Sequence, residues 1–158
     1  MKSLPNKTTL LLLIKDQKIL LAMKKRGFGA GKWNGVGGKP ETDETIEQTA
    51  IRECQEEIGV VPKNLKLVAT LNFYFSKAKT DWNQQVFVYL CEEWAGEPTE
   101  TEEMKPAWFS VADIPYESMW PDDRYWLPEV LKGNTVEAEF SFDENDNIVS
   151  HTMTVQPY

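Results

Sequence analysis

Histidine and cysteine are scarce in this sequence, and their scarcity excludes several kinds of catalytic and metal centre. His151 is the single histidine among 158 residues, so a zinc site with several histidine ligands cannot form and a Ser-His triad would need that one residue. We interpret it as a structural residue of a C-terminal strand. The two cysteines, Cys54 and Cys91, are too few for a disulfide framework or a cysteine-rich metal site, and they fit a reducing compartment.

Long apolar runs and an excess of positive charge are also missing. The longest early apolar run, residues 10–14, is too short for a signal-peptide core or a membrane span. We therefore expect a cytoplasmic protein, with a mitochondrial or nuclear pool left open. Lys and Arg number 17 against 25 for Asp and Glu, a formal net charge of -8. This balance disfavours general binding to nucleic acid or anionic membranes, because both are polyanions.

The remaining composition is that of a globular chain, with 41% hydrophobic residues. At this length we expect one domain over residues 1–158, acting as a monomer. Aliphatic and aromatic patterns predict strands at residues 8–14, 19–23, 65–75, 85–91, 108–109, 136–142 and 148–155, and helices at residues 44–58 and 122–132. Helices interspersed with hairpins predict α/β layers over a mixed sheet.

The first predicted helix ends at Gly59 and carries three glutamates close together. Glu53, Glu56 and Glu57 lie at i, i+3 and i+4, so they share an arc of about 100° beside the apolar stripe. Two unit charges about 6 Å apart repel by about 3 kcal/mol at an effective dielectric near 20. A divalent cation would reverse that repulsion, and a ligand set made only of oxygens favours Mg²⁺ or Mn²⁺ bound together with substrate phosphates.

An ordinary solvated acidic face is the alternative interpretation of these three glutamates. Glu57 lies at the edge of the apolar stripe, so we expect it to be half-buried. Arg52 is expected to orient one of the glutamates through a bidentate pair.

Residues 24–39 form a predicted loop that holds six of the nine glycines. Gly35, Gly37 and Gly38 precede the acidic helix, where glycine allows the backbone to approach a ligand closely or to offer a carbonyl to a metal. A glycine-rich loop without a function is the alternative.

The loop and the helix together resemble the Nudix box, the signature of the Nudix hydrolase family. The chain has Gly38, five residues, Glu44, seven residues, and then Arg-Glu-Cys-Gln-Glu-Glu-Ile-Gly-Val over residues 52–60. The fixed positions match over residues 38–60, except that Cys54 stands where an aliphatic residue is usual. The resemblance implies the Nudix fold, an α/β/α sandwich with a central mixed β-sheet, and Mg-dependent hydrolysis of a nucleotide.

Segments outside the box are similar to the branch of the family that hydrolyses oxidised purine nucleoside triphosphates. These segments are residues 23–35, 104–106 and 119–123, together with Tyr125-Trp126. The resemblance implies substrates of the 8-oxo-dGTP and 2-hydroxy-dATP type, cleaved to the monophosphate and pyrophosphate, which would sanitise the nucleotide pool. Two departures stand out: Val36 replaces an expected Phe, and the region from Lys77 to Gln85 is slightly longer than expected.

The resemblance also implies roles for individual residues. The metal would be held by Gly37 (through its carbonyl), Glu53, Glu56, Glu57 and Glu103. The three helical glutamates and Arg52 would form the catalytic group, with either Glu56 or Glu57 as the base. Lys24 and Lys39 would offset phosphate charge beside the Gly37-Gly38 loop. The base pocket would be lined by Thr9, Asn34, Phe73, Phe75, Met104, Trp120, Asp122, Asp123 and Trp126.

The residue types of this pocket suit a purine. Trp120 and Phe73 offer flat surfaces for stacking, and Asn34 both donates and accepts. Near an apolar wall one of the adjacent acids Asp122 and Asp123 could keep a proton, so that moving the proton would let one pocket recognise an oxidised guanine or an oxidised adenine. The alternatives are that the acids only begin the helix and that the aromatic residues are only core.

Two other functions remain compatible with the sequence. One is a Nudix enzyme for another substrate, such as an undamaged or methylated purine nucleotide or a dinucleotide polyphosphate. The other is a catalytically silent nucleotide-binding module, which the intact glutamates disfavour.

Overall fold

The computed structural model describes residues 6–27 and 29–158, which form ten strands and two α-helices. The strands are β1 (Asn6–Lys15), β2 (Lys18–Lys24), β3 (Trp33–Asn34), β4 (Val61–Lys63), β5 (Lys66–Tyr74), β6 (Gln84–Cys91), β7 (Glu93–Ala95), β8 (Met104–Ser110), β9 (Asn134–Phe142) and β10 (Ile148–Pro157). The helices are α1 (Ile46–Ile58) and α2 (Asp123–Leu131). Short 3-10 turns occupy Lys77–Trp82 and Tyr116–Ser118.

A mixed sheet organises these elements and confirms the predicted fold class. Its order is β10-β9-β5-β6-β1-β2-β3, and β8 also pairs with β2. β1 runs parallel to β6 and antiparallel to β2, while β5 runs parallel to β9 and antiparallel to β6. β4 and β7 pair separately as a small two-stranded sheet.

Alternation along β1 gives the sheet a hydrophobic core on each face. Leu11 and Leu13 pack in a cluster with residues of α1, whereas Leu12 packs in a second cluster with residues of α2. This follows from the two-residue period of a strand, in which neighbouring side chains point to opposite faces. The helices therefore cover both faces of the sheet, as an α/β/α sandwich requires.

Helix α1 begins later than predicted because a capping box defines its start. Thr45 is the N-cap: its side chain accepts from the Gln48 N–H, and the Gln48 side chain accepts from the Thr45 N–H. The predicted start at Glu44 is wrong, and Glu44 precedes the cap. The end is as predicted, since Gly59 adopts a left-handed φ of 74° and donates to the Gln55 carbonyl.

The second helix and the terminal hairpin follow the sequence patterns with small shifts. α2 begins at Asp123 and not at Asp122, and it continues through Pro128. The turn before β10 is held by Asp143, whose side chain accepts from the N–H groups of Asn145 and Asn147.

Several short elements were not predicted, and one prediction was too short. β3, β4 and β7 are too brief to leave a pattern, and the strand predicted at residues 108–109 is part of the longer β8. Phe28, within the predicted glycine loop, lies outside the described residues. Over residues 6–27 and 29–158, neither helix has the length and apolar character needed to cross a bilayer.

Candidate functional site

A cavity of about 520 Å³ opens between the start of β1, the glycine loop, α1 and the start of α2. It is lined by the whole set of residues that the sequence assigned to substrate: Thr9, Lys24, Asn34, Gly37, Gly38, Lys39, Phe73, Phe75, Met104, Trp120, Asp122, Asp123 and Trp126. Three of the expected metal-binding carboxylates, Glu53, Glu57 and Glu103, line it as well.

The glycine loop is held against β1 and against the acidic helix. The Thr9 N–H donates to the Gly38 carbonyl over 2.9 Å, and the Gly38 N–H donates to the Thr9 hydroxyl over 3.2 Å. A Cβ atom on Gly37 would collide with the Thr9 carbonyl, and one on Gly38 would collide with the Glu53 carboxylate. Glycine at these two positions therefore lets the loop lie directly on β1 and on Glu53.

Arg52 is the centre of an acidic network at the edge of the cavity. Its guanidinium pairs bidentately with Glu44 at 2.7 and 3.0 Å, and also contacts Glu53 at 3.0 Å and Glu56 at 3.1 Å. The Lys39 carbonyl accepts a further bond of 3.1 Å. The Arg52 guanidinium thus reduces the repulsion among the carboxylates and fixes the loop to the helix.

Glu44 received no role from the sequence pattern, and the structure makes it the bidentate partner of Arg52. Its hydrogen bonds from Arg52 and from the Thr49 hydroxyl lower its pKa to about 2, so it stays charged and anchors Arg52. The signal was present, because Glu44 is a fixed position of the box. The prediction that the helix begins at Glu44 gave no reason to expect that this carboxylate pairs with Arg52.

Glu57 is more buried than the half-buried side chain that we expected. It is 9% exposed and accepts a bond of 2.8 Å from the Gly37 N–H. Burial raises its pKa to about 7, and burial also raises the pKa of Glu53. Both carboxyl groups therefore ionise less readily than that of an exposed glutamate, and a bound cation would stabilise their charged forms.

The donor chemistry of the site suits a hard divalent cation, although the side chains are not gathered as ligands. In the described part of the chain, no three His, Cys, Asp or Glu side chains stand close enough to hold a metal ion. Glu53, Glu57 and Glu103 offer carboxylate oxygens to one cavity. Glu56 does not line the cavity: its side chain is 57% exposed and pairs with Arg52.

The adjacent acids at the start of α2 are buried beside the same cavity. Asp122 and Asp123 are each 3% exposed, and the Trp126 indole N–H donates to Asp122 over 2.8 Å. Burial raises the pKa of Asp122 to about 6 and the pKa of Asp123 well above its usual range, to which the neighbouring Asp122 charge adds. The pair therefore keeps one shared proton to a higher pH than two separate, exposed aspartates would.

Two observations favour a ligand-binding role for this pair over a helix-starting role. Asp122, at the N-cap position, makes no capping hydrogen bond with its side chain. Among the described residues, Asp123 Oδ2 is buried and lacks a hydrogen-bond partner. An unpartnered buried oxygen is costly, and a bound base could satisfy it.

The aromatic residues assigned to the pocket are both core and cavity wall. Phe75 stacks on Phe142 with ring centroids 5.0 Å apart, and Phe73 lies 5.8 Å from the same ring. Trp120 meets Phe75 edge-on at 6.3 Å. The two interpretations offered for these residues are therefore compatible.

The cavity also includes residues that the sequence analysis missed. Lys32 places its ammonium group 5.4 Å from the centre of the Trp120 ring. Other unassigned lining residues include Asn6, Thr8, Leu71, Asp81, Trp82, Gln84 and Phe142. The altered length of the region from Lys77 to Gln85 was the available signal for Asp81 and Trp82.

Comparisons with known proteins agree with this geometry. A family profile described as NUDIX domain matches residues 5–130. The oxidized purine nucleoside triphosphate hydrolase of Mus musculus is 42% identical over 145 residues, and the Danio rerio protein of the same name is 43% identical over 145 residues; each alignment covers 92% of both chains.

Solved structures give the same fold. A MutT NUDIX hydrolase from Burkholderia pseudomallei, 28% identical, superposes with a TM-score of 0.65 over 72% of this chain and 88% of its own. A mutator MutT protein from Bacillus halodurans reaches a TM-score of 0.81 over 94% of this chain and 97% of its own; at 23% identity it supports the fold alone.

Proposed function

Because the chain belongs to the Nudix family, we propose that it hydrolyses oxidised purine nucleoside triphosphates to the monophosphate and pyrophosphate. Substrates would be of the 8-oxo-dGTP and 2-hydroxy-dATP type, and their removal would sanitise the nucleotide pool. The mouse and zebrafish relatives, named for hydrolysis of oxidised purine nucleoside triphosphates, align over 92% of the chain. The observation that carries the proposal is that one cavity is lined both by Glu53 and Glu57 of α1 and by Trp120, Asp122 and Asp123 at the start of α2.

The acidic end of the cavity would position the triphosphate. Nudix hydrolases generally use divalent metal ions, and we propose Mg²⁺, with Mn²⁺ as a substitute. It would be held by the Gly37 carbonyl, Glu53, Glu56, Glu57 and Glu103. When bound, such an ion neutralises phosphate oxygens and lowers the pKa of a bound water.

The residues of the chain would then perform distinct tasks around the phosphates. Lys24 and Lys39 line the cavity and would attract the phosphate tail to an otherwise acidic protein. Arg52 would act as a positioning residue, because its bonds to Glu53 and Glu56 fix where those carboxylates lie. Either Glu56 or Glu57 would accept the proton of the attacking water.

The base end would recognise the lesion through hydrogen bonds that depend on one proton. A protonated aspartic acid donates and an ionised aspartate accepts, so the buried pair Asp122 and Asp123 could match either oxidised purine. Asn34 and Trp120 line the same cavity and would add a polar edge and a stacking surface.

Pyrophosphate release from a panel of triphosphates tests the proposal. The panel contains oxidised, methylated and undamaged purine triphosphates and a dinucleotide polyphosphate, each at low concentration with Mg²⁺. We expect the highest kcat/KM for an oxidised purine. Faster turnover of an undamaged, methylated or dinucleotide substrate would assign the chain another Nudix activity, and tight binding without pyrophosphate release would indicate a silent binding module.

The setting of this activity is also a proposal. We expect residues 1–158 to form one domain that acts as a monomer on free nucleotides in the cytoplasm, without nucleic acid or membrane. The two buried cysteines, Cys54 and Cys91, are free thiols, which supports a reducing compartment. Light scattering after size-exclusion chromatography should give the mass of one chain, 18.2 kDa, and a dimeric mass would contradict the monomer.

A further inference from the structure

Residues 76–83, in the connection between β5 and β6, bring to the cavity a tryptophan to which no motif assigned a role. Trp82 lines the cavity while its side chain remains 42% exposed. Its ring meets Phe75 edge-on at 6.1 Å, and Phe75 in turn meets Trp120 edge-on at 6.3 Å. Trp82 therefore extends the aromatic wall that begins at Trp120.

Hydrogen bonds fix this segment at both of its ends. Asn83 accepts from the Phe75 N–H over 2.6 Å, and Asn6 donates to the carbonyls of Asp81 at 2.7 Å and Asn83 at 3.1 Å. These bonds tie the segment to β5 and β1 immediately beside Trp82. The ring is thus placed before any ligand arrives, which reduces the ordering cost of binding.

A lysine of the same segment supports the tryptophan ring. The Lys79 ammonium lies 5.3 Å from the centre of the Trp82 ring, and it also bonds to Asp146 and to the Glu144 carbonyl at 3.3 Å each. The turn between β9 and β10 therefore helps to hold the position of the ring.

We propose that Trp82 is a base-contacting residue, and that its indole forms the outer wall of the nucleobase pocket. This inference rests on the proposed function and adds a specificity residue to it. The indole offers a flat apolar surface at the edge of a cavity that already contains Trp120, and a partly exposed surface leaves area that a stacked base can cover. Trp82 would act on affinity for the base, and the phosphate-binding residues would act on turnover.

Trp108 provides a matched control for this proposal. It is 39% exposed, close to the value for Trp82, but it stacks on Trp94 at 5.8 Å and does not line the cavity. A general effect of removing an exposed indole would therefore appear in both Trp82→Ala and Trp108→Ala.

Calorimetric titrations in Mg²⁺ test the proposal with two ligands, 8-oxo-dGMP and pyrophosphate. For Trp82→Ala we expect the affinity for 8-oxo-dGMP to fall about tenfold, the scale of one base–aromatic stack. Its affinity for pyrophosphate, which has no base, should stay unchanged. Trp82→Phe should keep most of the affinity, and Trp108→Ala should match the wild type. With 8-oxo-dGTP as substrate, Trp82→Ala should raise KM and leave kcat nearly unchanged.

Unchanged binding of 8-oxo-dGMP to Trp82→Ala would overturn the proposal, and so would an equal loss for pyrophosphate. If circular dichroism shows that Trp82→Ala does not fold, Trp82→Leu keeps apolar bulk without a flat ring, and the same selective loss is expected from it. Failure of the wild type to release pyrophosphate from any oxidised purine triphosphate would refute the proposed function. The 8-oxo-dGMP titrations would still decide the role of Trp82.

Discussion

Two acidic regions, one at the edge of the cavity and one in its wall, keep neighbouring carboxylates together in different ways. Around Arg52 the carboxylates of Glu44, Glu53 and Glu56 share a guanidinium, and the pKa of Glu44 falls to about 2. At Asp122 and Asp123 the carboxylates are buried, no described Lys or Arg forms an ion pair with them, and their pKa values rise. In the first region Arg52 keeps Glu44 charged, although burial raises the pKa of Glu53, and the paired charges suit phosphate chemistry. The second favours a retained proton, which suits the recognition of hydrogen bonds on a base.

Removing a carboxylate from the charged region should have the largest effect. We expect Glu56→Gln to lower kcat by about a hundredfold or more, since it removes a charge proposed to act through the metal or on the attacking water. Glu47→Gln changes an exposed acid of the same helix that does not line the cavity, and it should retain activity. Steady-state pyrophosphate release measures both, and circular dichroism verifies the fold. Normal turnover in Glu56→Gln would remove this residue from the proposed catalytic group.

Adding one methyl group to the loop tests how closely that region is packed. In Gly38→Ala the new Cβ meets the flexible end of Glu53, so we expect a folded protein whose activity falls about tenfold or more because Glu53 is displaced. In Gly37→Ala the Cβ meets the backbone of Thr9, which cannot move without shifting β1, so thermal stability should fall as well. Melting temperatures and turnover separate the two effects, and equal melting temperatures for the two variants would contradict the distinction.

Asp122→Asn should reduce the pH dependence of base selection that comes from the buried pair. Because the pKa of Asp122 is raised to about 6, the preference between oxidised guanine and oxidised adenine triphosphates should change severalfold across neutral pH in the wild type. The asparagine does not titrate, so the change around the pKa of Asp122 should disappear from the ratio of kcat/KM values, and only the contribution of Asp123 should remain. A ratio that is already flat in the wild type, and is unaffected by the substitution, would count against proton exchange in the pocket.

The pH dependence of stability should have opposite signs for Asp123 and for Glu44, one residue from each region. Burial raises the folded pKa of Asp123 above its unfolded value of about 4, so its protonated form is retained by the folded chain while the unfolded chain ionises. Wild-type stability should therefore fall relative to Asp123→Asn as the pH rises above about 4, by at most about 1.4 kcal/mol per pH unit.

Glu44 provides the counterpart to that measurement. Its folded pKa is lowered to about 2, so its stabilisation is present above the unfolded pKa and is lost as the pH falls toward 2. Relative to Glu44→Gln, the wild type should lose its advantage in acid. Urea unfolding between pH 3 and 8 measures both series, and slopes of the same sign would refute the contrast.

The sequence predicted the charged region better than its neighbouring segments. Spacing alone placed Glu53, Glu56 and Glu57 on one side of a helix, because a helical period is a local property. The start of that helix was misplaced although Thr45 and Gln48 form a capping box, so the bond between Glu44 and Arg52 was overlooked. The burial of Glu57 depends on its contact with Gly37, twenty residues away, which no local pattern contains.

Trp82 shows where prediction from sequence stops. The Asn6 side chain holds the backbone beside Trp82, and Asp146 holds Lys79, whose ammonium group lies near the Trp82 ring. Asn6 and Asp146 are both distant from Trp82 in the chain. A short segment without a periodic pattern takes its conformation from such long-range contacts. A change of length relative to a family pattern marks the place but gives neither the direction nor the neighbours of its side chains.

The parallel pairing of β5 with β9 has a consequence for biosynthesis. Phe142, at the end of β9, packs on Phe75 and completes one wall of the cavity. The β5–β9 pair joins residues that are more than sixty positions apart, and contacts of such long range form slowly. A nascent chain can therefore carry its complete acidic helix and still lack the wall of the cavity that Phe142 completes, until synthesis has passed residue 142.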